Sequence, residues 1–343
     1  MQMLKRYASV SFVVACLHLV FGAIVRISGS GMGCGNNWPR CYGSFFPPLS
    51  RPDLVIEVTH RYLASILLLS LVVTLWAAWQ RRDEAGVGGQ GGVLRSAALA
   101  VVLGLSAALL GALTVKLGNA PLATLAHWTV AMSLVASVAS TLMRSGGLGG
   151  ATARGLATSA RTRRSTFAAA GLALVTVVMG GLTAKFPGAS VACRQFPLCG
   201  ANPDVQHAAV HIQLTHRVLA VLIVLHLIGI NMMFRKRGEA PLIRRAAFVA
   251  ASLGVLQLLV AGAMIGMKLP PVLRSLHEAT GVSIWISTFV LAYLARMGGD
   301  DAGASEPLVD PVPAPASELA VATMQVRRTA PSIAVIVSRG ADL

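Results

Sequence analysis

Acidic residues are scarce in this chain. Its 343 residues include 13 Asp and Glu against 29 Lys and Arg, and 12% of positions are charged. A soluble domain carries about 25% charge, so the soluble globular class is excluded. Only Glu57 and Glu278 fall inside long apolar stretches. The HExxH and CxxC-type clusters of zinc sites are missing, which leaves little basis for a zinc centre. Also missing are roughly ten-residue segments of alternating polarity, which excludes a membrane barrel. No small-residue cleavage site follows the first apolar run, where Arg26 comes directly after Ile24 and Val25. That run therefore reads as a retained helix and not a signal peptide.

What the chain has is hydrophobicity: 55% apolar residues and a mean hydropathy of +0.69. Eight stretches can cross about 30 Å of hydrocarbon, over 8–26, 55–79, 94–116, 121–143, 166–185, 208–234, 246–267 and 272–296. Helices satisfy their backbone groups internally, so the expected class is all-α, a polytopic membrane protein. Fourteen Lys and Arg lie at the N-terminus and in connections 80–93, 144–165 and 235–245, whereas the other connections hold Arg40, Arg51, Arg194 and Lys268. The positive-inside rule then places both termini in the cytoplasm and the cysteine-bearing loops outside. The net charge of +16 reads as topology and contact with anionic membrane lipid, with no nucleic-acid role. Beyond Met297 the composition turns to Gly, Ala, Pro, Ser and Asp, and 298–343 reads as a disordered cytoplasmic tail.

The two halves repeat. Glu57-Val-Thr-His60-Arg61 matches Gln213-Leu-Thr-His216-Arg217, Cys34 and Cys41 match Cys193 and Cys199, and Gly111 with His127 matches Gly262 with His277. The expected architecture is eight transmembrane helices as a tandem pair of four-helix bundles, 1–150 and 151–297, in the same orientation because each unit has an even number of spans.

His60, His127, His216 and His277 lie one on each of four helices, roughly 8 to 12 Å below the outer helix starts at 1.5 Å per residue. A lone intramembrane histidine is usually a packing residue. Four at one depth, two per half, instead provide opposed imidazoles for a flat iron macrocycle in each half. His18 and His226 have no repeat partner and read as structural. His207 and His211, spaced i,i+4 near the outer interface, read as solvated, with a metal site as the sharper alternative.

Glu57 lies three residues before His60 on the same face, which aims its carboxyl at the His60 site, where it can carry protons or stabilise a cationic intermediate. Glu278, turned about 100° from His277, reads as an interfacial acid. Short loops on an oxidising face favour pairing as Cys34–Cys41 and Cys193–Cys199, either as staples or for thiol–disulfide chemistry. Cys16, inside the first span, reads as an inert apolar residue. Arg61, Arg217, Arg26, Lys116, Lys185 and Lys268 read either as partners for heme propionates or as snorkelling side chains.

Together, Cys34-Gly-Asn-Asn-Trp38-Pro39-Arg-Cys41, Glu57-Val-Thr-His60-Arg61, His127, the Cys193/Cys199 loop, Thr215-His216-Arg217 and His277 resemble the heme A synthase (CtaA) family across nearly all of 1–297. The resemblance implies oxidation of a methyl substituent of heme O to the formyl group of heme A, by two successive hydroxylations with water as oxygen source and dehydration of a gem-diol. It implies heme b as an electron-transfer cofactor on His216 and His277, heme O on His60 and His127, Glu57 in catalysis, and the first cysteine pair near the substrate. The implied partners are a membrane electron acceptor and heme O synthase, the protoheme farnesyltransferase. Gln213, opposite Glu57 in the repeat, cannot do proton chemistry, which fits unequal roles for the halves. The second loop's cysteines are one residue closer together than the first loop's, and the proline-rich tail has no counterpart in the family pattern.

The principal rival is a non-catalytic di-heme b-type cytochrome passing electrons from quinone. It does not account for an acid in only one half. A membrane thiol oxidoreductase leaves the histidines unexplained, and a transporter predicts broken helices at mid-membrane.

Overall fold

A computed structural model describes residues 1–299, so the tail beyond them, 300–343, lies outside the described residues. Eight long helices follow in order: α1 Gln2–Ile27, α2 Pro52–Trp79, α3 Val93–Lys116, α4 Pro121–Arg144, α5 Ala160–Lys185, α6 His207–Lys236, α7 Pro241–Gly266 and α8 Pro271–Met297. All eight are long and apolar enough to span a membrane, and no strand occurs among the described residues. The protein is an all-α, multi-pass membrane protein.

Local chemistry sets the helix ends. Pro52, Pro121, Pro241 and Pro271 open α2, α4, α7 and α8, where the missing N–H has no intrahelical partner to lose. The Ser159 side chain caps α5, accepting from the Thr162 N–H at 3.2 Å. Several helices run past the apolar stretch that announces them. Helix α5 begins at Ala160 and carries Arg161, Arg163 and Arg164 in its first turns, because a helix continues into the headgroup region where charge is solvated.

Each set of four closes a circuit of neighbours. Helix α1 packs on α2, α2 on α3, α3 on α4 and α4 back on α1; α5 to α8 do the same. The two circuits meet where α1 touches α8, α4 touches α5 and α4 touches α8. Outward faces carry exposed apolar side chains such as Leu69, Leu109, Phe167 and Leu259, as lipid contact requires. Met132, Leu227, Phe234 and Leu291 are fully buried between helices.

Apolar lipid provides no hydrophobic drive for helices to associate, so polar bonds between them gain weight. Ser11 and Thr74 pair at 3.0 Å between α1 and α2, and Ser137 donates to the Ser96 carbonyl at 3.0 Å between α4 and α3. Across the two sets, the Trp285 indole donates to the Met132 carbonyl at 3.2 Å. Gly181 on α5 admits the Trp128 ring of α4, since a Cβ there would lie 2.6 Å from it. Where the C-terminal end of α1 meets the first turns of α8, Arg26 forms an ion pair with Glu278. The acid that reads from sequence as interfacial therefore joins the two sets.

Candidate heme sites

The four histidines are half-buried in the interior of the two circuits. His216 and His277 face each other with ring centroids 6.5 Å apart and planes at 78°. Two imidazoles binding one iron from opposite sides, at about 2 Å per metal–nitrogen bond, need centroids on the order of 6 Å apart. The spacing of the two rings is of the order that two imidazoles holding one iron would need. His216 Nδ1 lies 3.1 Å from the Thr176 carbonyl on α5. A carbonyl only accepts, so Nδ1 carries the proton and Nε2 is left as the donor atom for a metal. His277 is placed by Gln257, whose amide donates to the His277 carbonyl at 2.9 Å and stands 3.4 Å from Nε2, while Thr280 donates to the Gln257 oxygen. His277 Nδ1 is buried without a partner.

In the first set, His127 Nδ1 lies 2.8 Å from the Ala107 carbonyl on α3, which selects the same tautomer as in His216. His60 stacks on His18 of α1, with centroids 4.3 Å apart and planes at 14°. Glycines make room for three of the rings. A Cβ at Gly22 would be 3.3 Å from His60 Cε1, at Gly111 3.2 Å from His127 Cε1, and at Gly180 2.9 Å from His216 Cε1.

The two cysteine-bearing loops are clamped to these helices. Cys34 and Cys41 are joined, with Cα atoms 4.9 Å apart, and so are Cys193 and Cys199, at 4.5 Å. Cys34, Cys41 and Cys193 are buried, the first pair against Leu54 and Val58 of α2. Glu57, only 4% exposed, accepts from the Cys34 N–H at 2.9 Å and is paired with Arg61. Arg61 also donates to the Pro39 and Asn37 carbonyls, both at 2.9 Å. The second set repeats this: Gln213 accepts from the Cys193 N–H, and Arg217 donates to the carbonyls of Gln195 at 2.6 Å, Leu198 at 3.0 Å and Cys193 at 3.2 Å. Both arginines hold loop carbonyls, the role that neither propionate pairing nor snorkelling anticipates. Glu57 reaches up to its loop in the same way, one turn from His60.

Of the remaining sequence candidates, His226 bonds the Ser165 carbonyl at 3.1 Å, a structural role as expected. His207 and His211 are exposed, and no cluster of three or more His, Cys, Asp or Glu arranged to hold a metal ion occurs among the described residues. Sequence reasoning missed the part played by His18 and Gln257. The available signal was position: Gln257 lies 20 residues before His277, as Ala107 lies 20 before His127.

The chain matches the family described as cytochrome oxidase assembly protein, COX15-CtaA, over residues 5–55 and 52–289. It is 28% identical over 256 residues to a heme A synthase of Shouchella clausii (strain KSM-K16), covering 74% of this chain and 82% of that protein. A heme A synthase of Bacillus cereus (strain AH187) is 27% identical over 303 residues, 86% of this chain and 93% of its own. One from Geobacillus kaustophilus (strain HTA426) is 29% identical over 228 residues, 65% and 69%. The long apolar helices, the paired cysteine loops and a family match covering most of the described residues lead to one assignment: the chain belongs to the COX15-CtaA family of cytochrome oxidase assembly proteins.

Proposed function

We propose that this protein oxidises the methyl substituent of heme O to the formyl group of heme A. Residues 1–150 then form the substrate half, with heme O held by His60 and His127, and 151–297 the cofactor half, with heme b held by His216 and His277. The observation that carries this reading is the His216/His277 pair, 6.5 Å between centroids, on a scaffold whose other copy stacks His60 on His18. The names of the three relatives supply the product, heme A.

Each hydroxylation consumes a water and releases an electron pair and two protons, and the resulting gem-diol loses water to give the formyl group. When bound, heme b supplies one-electron relay towards a membrane acceptor. The Thr176 carbonyl fixes the His216 tautomer and so the donor atom offered to iron. Glu57 is the acid on the substrate side, able to take up a released proton at a carboxylate oxygen; Gln213, in the equivalent place, is not. Arg61 and the Cys34 N–H hold that carboxylate under the first loop, so proton transfer and loop position are coupled through it. In this reading both termini are cytoplasmic, the cysteine loops lie on the outer face of the plasma membrane, and heme O synthase hands over the substrate.

The test is to express the protein with a source of heme O, extract the pigments and identify them by mass. Conversion to heme A is expected. Heme O recovered unconverted beside protoheme would contradict the enzymatic reading.

A further inference from the structure

Helix α2 presents a line of exposed apolar side chains. Tyr62, Ile66, Leu69, Val73 and Trp76 recur at intervals of three and four residues and so share one face, which on a membrane-spanning helix meets lipid. Towards the start of α2 the line continues through Thr59 and Val55, and there the connection 42–51, which joins Cys41 to α2, folds back over it. The Tyr62 hydroxyl donates to the Phe45 carbonyl, and the Phe46 ring lies 6.2 Å from the Tyr62 ring. Tyr62 is about 15 Å along α2 from Pro52 at 1.5 Å per residue, and its side chain leans back towards the helix start. The connection therefore lies beside the first turns of a membrane span and not beyond its end.

Its outward side chains are apolar: Phe46 is 82% exposed and Leu49 88%. A groove of about 280 Å³ separates Phe46, Pro47 and Leu49 from Val55, Thr59 and Tyr62. Irregular backbone in lipid has no water to bond, so its polar groups must be met within the protein. Ser44 exchanges both of its backbone bonds with Cys41, at 2.8 and 3.0 Å. The Ser44 hydroxyl accepts from the Phe46 N–H and donates to the Phe46 carbonyl, each at 3.0 Å. Pro47 and Pro48 have no N–H to satisfy, and the Pro48 carbonyl accepts from the Arg51 N–H at 3.0 Å. The second copy is built differently. Its connection 200–206 exposes Asp204 and Gln206 and turns Val205 onto Gly188, and Val218 stands at the place of Tyr62.

We propose that residues 45–49 are a wedge seated in the lipid leaflet at this end of the helices, with a lipid acyl chain in the groove between the wedge and α2. Interfacial anchors sink roughly 5–10 Å into the boundary between headgroups and acyl chains, which matches a segment lying beside the first turns of α2. Arg40, 4.9 Å from the Phe45 ring, and Arg51, paired with Asp53 at 2.7 Å, supply the charged edge that stays among the headgroups. The first disulfide loop, whose Cys34 N–H is bonded to Glu57, is then fixed to the bilayer as well as to α2. The second is held by Gln213 and Arg217 of α6.

The test uses the full-length protein in phosphatidylcholine vesicles whose acyl chains are brominated close to the headgroup, since bromine quenches an indole on contact. Phe46→Trp and Leu49→Trp each add one indole at an exposed position, and its emission is read as the difference from the parent protein. Both are expected to emit at short wavelength and to lose emission in brominated vesicles relative to unbrominated ones. Asp204→Trp, in the second loop, should emit as in water, keep its emission in brominated vesicles and be quenched by acrylamide. Brominated lipid that spares the indole at 46 or at 49 would overturn the proposal. Equal quenching at 204 would overturn it as well, because insertion would then owe nothing to the wedge.

Discussion

Glu57 on α2 and Gln213 on α6 do the same structural work: each accepts a hydrogen bond from the backbone N–H of the first cysteine in its own disulfide loop, Cys34 and Cys193. The amide is sufficient for that bond. The carboxylate adds an ion pair with Arg61 and a site that can bind a proton.

Glu57→Gln should therefore fold with both loops in place. Its cost in stability is expected to be about 1 to 3 kcal/mol, from loss of the charge-assisted bond to Arg61, which keeps its two loop carbonyls. Heme uptake should persist and the formyl product should disappear. Pigment mass and a thermal melt of the same preparation separate the two effects. Undiminished heme A formation would remove Glu57 from the chemistry.

Arg217→Ala takes away the donor for the carbonyls of Gln195, Leu198 and Cys193 at once. Hydrogen bonds to a charged group contribute about 1.5 to 3 kcal/mol each and are not additive, so a local loss of about 2 to 4 kcal/mol is expected. Limited proteolysis within 194–205 should accelerate while the helices stay protected. Arg61→Ala should do the same to the first loop. A cleavage rate unchanged in both variants would show that the disulfides alone hold the loops.

Gly180→Ala places a methyl 2.9 Å from Cε1 of His216, and Gly22→Ala one 3.3 Å from His60. The first contact forces the ring to move, whereas the second asks for a few tenths of an ångström. Gly180→Ala should lower tightly held heme per protein, by pyridine hemochrome assay, by about tenfold, on the scale of lost ligand orientation. Gly22→Ala should leave that pool largely intact. Equal heme content in both variants would contradict the packing argument.

The eight helices were legible because hydropathy is a property of the chain itself. Helix ends were less so: α1 starts at Gln2 where the apolar run suggests 8, since Lys5 and Arg6 sit comfortably in a helix beyond the hydrocarbon. The four histidines could be found by depth and repetition. The direction of Glu57 could not, because helical spacing places it beside His60 while a loop 23 residues earlier supplies the N–H that draws it away. Arg61 and Arg217 were ambiguous for the same reason: their partners are backbone carbonyls, which have no signature in sequence. The Arg26–Glu278 pair joins residues 252 apart and depends on how α1 and α8 meet.

The division of labour between the halves is tested most directly by reading the tightly held heme spectrum of purified single variants. His216→Ala and His277→Ala should each lose the b-type spectrum, while His60→Ala and His127→Ala should retain it and fail to make heme A. A b-type spectrum that survives both His216→Ala and His277→Ala would contradict the assignment of the cofactor to α6 and α8.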